Sequence, residues 1–187
     1  MKQLTIALLG VSGVGKSTLL RRLAEVANFQ HLQASALIRS AREALEAREI
    51  EPDMLRHSNI DENQKLLILG FERAIDPTTE IVILDGHSVI DTPQGLTPIS
   101  PLVFGALGVE QLIFLAQSPS TIFQRRELDE SRNRPARSVL ELEKHQDAAL
   151  TNSLKICLHL RIPLTVLSDS DPHKLAAFIS AAKSSDR

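Results

Sequence analysis

The stretch GVSGVGKST at residues 10–18 decides the fold of this chain. It follows the apolar run LTIALL at 4–9, which has the character of a fully buried strand, and precedes KSTLLRRLAEVA, whose leucines recur at helical spacing. A GxxxxGK[ST] pattern between strand and helix is typical of a phosphate-binding loop, because its glycines let successive backbone N–H groups turn inward at the positive end of the helix. The alternative is a glycine-rich turn that binds nothing. We predict a nucleotide site made of Gly10, Val11, Ser12, Gly13, Val14, Gly15, Lys16, Ser17 and Thr18.

Three side chains in and beyond this loop are suited to ATP bound with Mg²⁺. Lys16 supplies a point charge for the β- and γ-phosphates, and the hydroxyl of Ser17 is a suitable ligand for Mg²⁺. Asp85 directly follows the apolar run EIVIL at 80–84, and a strand-end acid at such a place holds the same ion in nucleotide-binding proteins. We predict ATP and Mg²⁺ as cofactors, with Ser17 and Asp85 as metal ligands. A turn-forming role for Asp85 is the alternative.

The composition indicates a globular protein without a general affinity for nucleic acid or membranes. The chain has 187 residues, of which 43% are hydrophobic and 24% charged, and a formal net charge of −2. That length is typical of one domain, taken here as 1–187, and the charge gives no reason to expect a nucleic-acid partner. No apolar run approaches the roughly 20 residues that cross a bilayer. Cys157 is the only cysteine, which excludes an intramolecular disulfide and agrees with a cytoplasmic location.

Short apolar runs alternate with longer segments of helical period along the rest of the chain. After the first strand, the predicted strands are 29–33, 80–84, 110–116 and 162–167. The predicted helices start at Lys16, run from a Ser35 cap to about Arg48 and from about Asn59 to Ile75, and cover about 138–160 and 173–183. Residues 92–108 are expected to form a Pro- and Gly-rich connection. This alternation predicts an α/β fold in which a parallel sheet carries helices on both faces.

A second concentration of charge lies in FQRRELDESRNRPARS at 123–138, which holds five arginines. In a phosphoryl-transfer protein, arginines on a mobile segment can close over the phosphates and neutralise the charge that develops during transfer. Pro135 and the RNR interruption argue against one continuous helix, and we predict a short lid over 125–137. The alternatives are a solvated, salt-bridged helix end and, more weakly, an RNA-binding patch, which would lack interleaved aromatic residues.

The helical pair predicted over 34–75 is the natural place for a phosphate acceptor. Ser35 and Arg39 lie in the first turns of its first helix, and Arg56 lies in the loop before the second. A helix start and arginine side chains are suited to binding the acceptor's own phosphate. The alternative is that Arg39 belongs to the exposed face of an amphipathic helix. The other histidines, His31 among them, are expected to be surface or packing residues, whereas His87 stands close to Asp85.

Three stretches together carry a resemblance to a known family. GVSGVGKST, ILDGHSVIDTPQGLTPISP and SRNRPARSVLELEKHQ, in this order and spacing, resemble the archaeal-type adenylate kinases of the P-loop nucleoside monophosphate kinase superfamily. The resemblance covers nearly the whole chain. It implies a three-layer P-loop fold with a five-stranded parallel sheet, a nucleoside monophosphate site in the helical pair, and a short lid. It also implies transfer of the γ-phosphate of ATP to AMP.

The same resemblance assigns further site residues. His87, Thr92 and Gly95 match the family's segment around and after the strand-end acid, and they become candidate acceptor-binding residues. Arg132 and Arg134 match the family's lid arginines, and they become catalytic candidates beside Lys16.

The chain also departs from the family in three places. It has GLTPISP where the family commonly has Gly-Tyr-Leu-Pro-Gly-Leu-Pro, and Leu128 where an arginine commonly precedes the lid acid. The family's Gly-Thr or Gly-Asp at the acceptor helix is Ala34-Ser35 here. Since these changes fall around the acceptor and the lid, they bear on the acceptor's identity more than on phosphoryl transfer itself.

The residues therefore predict an ATP-dependent kinase acting on a nucleoside monophosphate, with ATP and AMP giving two ADP. A kinase for another small-molecule acceptor is one alternative, and a regulatory P-loop ATPase or nucleotide-dependent binding protein is another. No Asn-Lys-x-Asp segment for reading guanine is present, which argues against a GTPase switch. The expected partners are small-molecule nucleotides, and the sequence is compatible with a monomer or a small oligomer.

Overall fold

The computed structural model describes residues 3–46, 62–92, 95–129, 136–168 and 170–185. In chain order its elements are β1 (Leu4–Leu9), α1 (Lys16–Leu23), β2 (Gln30–Gln33), α2 (Ala34–Glu46), α3 (Glu62–Ala74), β3 (Ile81–Gly86), β4 (Val89–Thr92), β5 (Gly95–Pro98), α4 (Pro101–Ala106), β6 (Gln111–Leu115), α5 (Pro119–Glu127), α6 (Val139–Leu160), β7 (Leu164–Leu167) and α7 (Pro172–Ser185). Among the described residues, no helix has the length and apolar character that a membrane span requires.

Five of the strands form one parallel sheet in the order β2-β3-β1-β6-β7. Apart from Thr5 and Gln111, the central strands β1 and β6 consist of apolar residues, and Ile6, Leu9, Leu112 and Leu115 are fully buried in them. Strands of nearly continuous apolar character are expected where helices cover both faces of a parallel sheet. The predicted fold class, a three-layer P-loop fold around a five-stranded parallel sheet, is confirmed.

Local signals fix several helix starts. Ser138 caps α6 through a capping box, in which its side chain accepts from the Glu141 amide and the Glu141 carboxylate accepts from the Ser138 amide. Ser100 and Ser118 cap α4 and α5, and each is followed by a proline in the first turn. Because only Ala116 and Gln117 separate Ser118 from β6, α5 begins near the sheet edge that also carries residues 10–18.

Two predicted details differ from the structure. The expected connection over 92–108 contains the antiparallel hairpin β4–β5 and the short helix α4. Described glycine and proline residues of this stretch lie at the ends of these elements: Gly95 begins β5, Pro98 ends it, and Pro101 begins α4. Second, α2 begins at Ala34, so Ser35 lies in its first turn instead of preceding it.

The helices α2 and α3 pack closely on each other beside β2 and β3. Leu37 and Ala41 of α2 are buried, as are Leu66 and Phe71 of α3. A Cβ atom built on Gly70 would lie 2.4 Å from the Leu37 carbonyl oxygen, so this approach of the two backbones requires glycine. The predicted helical pair is therefore present; its predicted ends at Arg48 and Asn59 lie outside the described residues.

Candidate active site

The loop over residues 10–15 joins β1 to α1 at the carboxyl edge of the sheet. Gly15 has φ +110°, a left-handed conformation in which other residues are strained, and a Cβ on Gly10 would lie 2.7 Å from the Leu115 carbonyl oxygen. The loop thus needs glycine both for its turn and for its close approach to β6. Its last residue stands at the N-terminus of α1, where the backbone N–H groups of the first turn favour an anion.

Lys16 is buried at the start of α1, with 7% of its surface exposed. Its ammonium donates a hydrogen bond to the Gly10 carbonyl oxygen at 2.9 Å, and its Nζ lies 3.7 Å from Oδ1 of Asp85. A buried charge needs such partners, because desolvation without them is costly. The ammonium group is therefore held between the loop and the end of β3.

Asp85 lies at the end of β3 and is 5% exposed. Burial alone would raise its pKa, but the His31 imidazole and the Lys16 ammonium oppose this effect, and the pKa of Asp85 is lowered overall. The carboxylate is thus ionised at neutral pH. Ser17 and Asp85 both line the cavity, and a hydroxyl and a carboxylate are ligands of the hard-oxygen type that Mg²⁺ prefers. The donor set fits Mg²⁺ shared with nucleotide phosphates and water.

His87 lies two residues beyond Asp85 and contacts the phosphate loop. Its Nδ1 is 2.6 Å from the Gly10 carbonyl oxygen, the same oxygen that accepts from Lys16. A carbonyl oxygen only accepts, so Nδ1 carries the proton. Burial and the Lys16 charge lower the pKa of His87 to about 4. At neutral pH the ring is uncharged.

Two arginines of α5 pack over the outer side of the loop. Arg125 donates through Nη1 to the Val14 carbonyl oxygen at 2.5 Å, and a Cβ on Gly15 would lie 2.8 Å from the same Nη1. The aliphatic part of Arg126 covers Gly13, where an added Cβ would lie 2.7 Å from the Arg126 side chain. Both arginines belong to the charged stretch predicted to form the lid, but their contact with the loop was not predicted.

These groups surround a cavity of about 720 Å³. The predicted site residues and the α5 arginine that line it are Val11, Ser12, Gly13, Gly15, Lys16, Ser17, Thr18, Ser35, Asp85, His87 and Arg125. Further lining residues are Arg22, Gln33, Ala34, Gly86, Asp129 and Ser170. The cavity therefore reaches from the phosphate loop to the junction of β2 with α2 on one side and to the segment after β7 on the other.

Several predicted site residues do not line the cavity or lie outside the described residues. Arg39 is exposed on α2 and is not among the residues that line the cavity. Thr92 and Gly95 close the β4–β5 hairpin, where the Thr92 hydroxyl donates to the Gly95 carbonyl at 2.8 Å. Arg56, Arg132 and Arg134 lie outside the described residues. The acceptor and lid roles of these six residues stay predictions.

A buried polar network fixes the chain that leaves Asp85. The Ser88 hydroxyl donates to the Ala149 carbonyl at 2.7 Å, and the Asn152 amide donates to the carbonyls of Ser88 at 2.7 Å and Ile99 at 3.0 Å. Through these bonds α6 holds the His87–Ser88 turn. Farther along, Arg137 forms a bidentate pair with Asp91, 2.7 and 3.2 Å. The β4–β5 hairpin is thus bonded to the start of α6, and no short sequence motif predicts this contact.

The neutral His87 predicts a specific loss of stability in acid. Its pKa is about 4 in the folded protein against 6.5 ordinarily, so between these values the unfolded chain binds the extra proton and stability falls as pH falls. From pH 7 to 4.5, this one group should cost about 2 kcal/mol of the free energy of unfolding. Denaturant titrations at both pH values measure the change.

The matched control for this prediction is His87→Asn. Asparagine places an N–H donor near the position of Nδ1 and does not titrate, so the hydrogen bond to Gly10 is kept while the pH dependence is removed. Between the two pH values, the free energy of unfolding of the variant should fall by about 2 kcal/mol less than that of the wild type. Equal losses in both proteins would contradict a neutral, buried His87.

Comparisons with known proteins agree with this geometry. Residues 9–143 match a family model described as "AAA domain". The adenylate kinase of Thermococcus onnurineus is 24% identical over 169 residues, which cover 89% of this chain and 86% of that protein. The adenylate kinase of Methanococcus vannielii is 27% identical over 154 residues, 78% of this chain and 79% of that one. The predicted resemblance to archaeal adenylate kinases is thus confirmed.

Solved structures share the fold at lower identity. Shikimate kinase from Bacteroides thetaiotaomicron superposes with a TM-score of 0.55 at 15% identity, covering 95% of this chain and 98% of that chain. The protein TT1252 from Thermus thermophilus superposes with a TM-score of 0.52 at 17% identity, covering 97% and 98%. At these identities the likeness concerns the fold alone.

Proposed function

Because the chain belongs to the AAA-domain family that its residues 9–143 match, and because its phosphate loop, Lys16 and Asp85 meet in one cavity, we propose that it is an ATP-dependent small-molecule kinase. The finer proposal is that the acceptor is a nucleoside monophosphate, with AMP the first candidate. The observation that carries the proposal is a cavity continuous from the phosphate loop to the β2–α2 junction, because transfer requires two substrates to meet end to end.

The donor half of the cavity is suited to ATP with Mg²⁺. Backbone N–H groups at the start of α1 would hold the β- and γ-phosphates, and Lys16 would exchange its bond to the Gly10 carbonyl for the phosphate oxygens. Ser17 and Asp85 would hold Mg²⁺, which neutralises phosphate charge when bound. Near Gly15, the buried Ser170 hydroxyl lacks a hydrogen-bond partner in the described part of the chain and is available to the nucleotide.

The acceptor half lies where β2 leads into α2. Gln33, Ala34 and Ser35 line the cavity there, and Gln33 pairs beside Asp85 in the sheet. A nucleoside monophosphate is the acceptor favoured here, since the archaeal relatives are named adenylate kinases. Arg39, Arg56, Thr92 and Gly95 remain proposed contacts of that acceptor. No side-chain base is required, because a phosphate acceptor is already anionic and catalysis is mainly positioning and charge stabilisation.

The lid is the part of the proposal that depends on Arg132 and Arg134. They follow α5, whose Arg125 already contacts the phosphate loop, and they precede Arg137, which is fixed to Asp91. Arg125 and Asp129, which precede these two residues in the chain, both line the cavity. We propose that Arg132 and Arg134 stabilise charge during transfer.

A coupled assay tests the function. Purified protein is incubated with ATP and Mg²⁺ alone, and with AMP, other nucleoside monophosphates, or small hydroxyl acceptors. A nucleoside monophosphate kinase makes nucleoside diphosphate in proportion to the acceptor consumed. Phosphate release without any acceptor indicates an ATPase instead, and turnover confined to a hydroxyl acceptor replaces the proposed substrate class while leaving the kinase assignment in place.

Arg125 gives a prediction about the donor nucleotide. Arg125→Met keeps the aliphatic stem and removes the charged donor to the Val14 carbonyl. We expect ATP to bind about ten- to a hundredfold more weakly, because Arg125 lines the cavity and a charged hydrogen-bonding group is worth about 1.5–3 kcal/mol. Calorimetric titration with a non-hydrolysable ATP analogue measures the change. Arg21→Met, an exposed arginine on α1 outside the cavity, is the control; equal affinity in both variants would remove Arg125 from the donor site.

A further inference from the structure

Asp85 has a second basic neighbour on the edge strand of the sheet. Its Oδ1 lies 3.7 Å from Lys16 Nζ, and its Oδ2 lies 3.7 Å from Nε2 of His31. His31 belongs to β2, which pairs with β3 in a register that sets His31 beside Ile83 and Gln33 beside Asp85. The carboxylate is therefore bracketed, with one oxygen towards the phosphate loop and the other towards β2.

The surroundings of His31 separate it from both the core and the cavity. Its side chain is 40% exposed, whereas that of Asp85 is 6% exposed. Asp85 is among the residues that line the cavity, but His31 is not. A bound nucleotide or cation would therefore meet Asp85 directly, and His31 only through Asp85.

We infer that His31 is a positioning residue that holds the Asp85 carboxylate for the divalent cation. This inference rests on the proposed function, in which Lys16 turns to the phosphates of bound ATP. Oδ1 of Asp85 then no longer has the Lys16 ammonium beside it and can face Mg²⁺. Oδ2 of Asp85 stays beside His31. A carboxylate held at one oxygen presents the other in a fixed direction, which is how outer partners orient metal-binding groups.

The test uses Mg²⁺ and ADP as probes and measures binding instead of turnover. The midpoint of Mg²⁺-dependent ADP binding is determined by calorimetry for wild type, His31→Ala and His31→Gln, and ADP binding is also measured without Mg²⁺. Glutamine places an amide donor near the position of Nε2 without a titratable ring. His159→Ala, an exposed histidine on α6, is the control. Thermal unfolding without ligand shows whether each variant is folded.

We expect His31→Ala to need about tenfold more Mg²⁺, the lower end of what lost outer partners cost. His31→Gln should stay near the wild type, as should His159→Ala, and ADP binding without Mg²⁺ should be equal in all four. An unchanged midpoint in His31→Ala, a glutamine variant that behaves like alanine, or a wild type indifferent to Mg²⁺ would each overturn the inference. A wild type that binds Mg²⁺ with ADP but transfers no phosphate would contradict the proposed function without contradicting the positioning role of His31.

Discussion

Lys16→Met should lower the rate of phosphoryl transfer about a thousandfold or more, since single charged groups that stabilise transferring phosphate are worth about 10³ and above. Methionine keeps most of the length of the side chain and removes its charge. The ammonium group now bonded to Gly10 and placed beside Asp85 is then unavailable to the β- and γ-phosphates. Initial rates with ATP, Mg²⁺ and AMP give kcat and KM.

The same variant should also be less stable, for a reason internal to the fold. Asp85 is 5% exposed, and without Lys16 one of the positive charges that offset the cost of burying its carboxylate is missing. The pKa of Asp85 should rise, because fewer favourable charges then oppose the effect of its burial. Loss of activity from unfolding alone is excluded by measuring rates well below the unfolding midpoint.

Lys155→Met is the matched control, since Lys155 is exposed on α6 and does not line the cavity. It should keep the rate of the wild type. A Lys16→Met protein that transfers phosphate within about tenfold of the wild type would show that the loop binds nucleotide without Lys16 acting on the transferred group.

Local motifs predicted the centre of this site because its parts are consecutive or stand at strand ends. Gly10 to Thr18 form one loop and the first turn of the helix that follows it, and Asp85 meets them because parallel strands bring their carboxyl ends to one edge of the sheet. Alternating apolar runs and helical segments were enough to predict that sheet. They did not predict its strand order, in which β2 lies next to β3 and places His31 beside Asp85.

Contacts that depend on helix placement could not be predicted from spacing. Arg125 reaches the Val14 carbonyl across 111 residues of sequence, and Asn152 reaches Ser88 across 64. Nothing local to Arg125 distinguishes it from its neighbour Arg126 or from a solvated helix end. The signal that could have found it is the Ser-Pro cap at Ser118, which starts α5 shortly after β6 and so restricts where its last turn can lie.

Gly70→Ala is expected to destabilise the protein by about 2 kcal/mol and to weaken the acceptor site in particular. The new Cβ would lie 2.4 Å from the carbonyl oxygen and 2.8 Å from the carbonyl carbon of Leu37, so α2 and α3 must move apart. Alanine gains up to about 1 kcal/mol of helix propensity over glycine, but overpacking against a backbone costs about 1–3 kcal/mol or more, and the clash prevails. Denaturant unfolding measures the net effect.

Because α2 carries the β2–α2 junction that lines the cavity, its displacement should raise the KM for AMP severalfold while ATP-analogue binding at the phosphate loop changes little. Gly105→Ala in α4 is the matched control. Its Cβ would meet only the end of the Leu160 side chain, at 3.2 Å, which can turn aside. That variant should keep its stability to within about 0.5 kcal/mol and both substrate affinities. If Gly70→Ala raised the KM for ATP and for AMP equally, the helical pair would serve the whole cavity instead of the acceptor half alone.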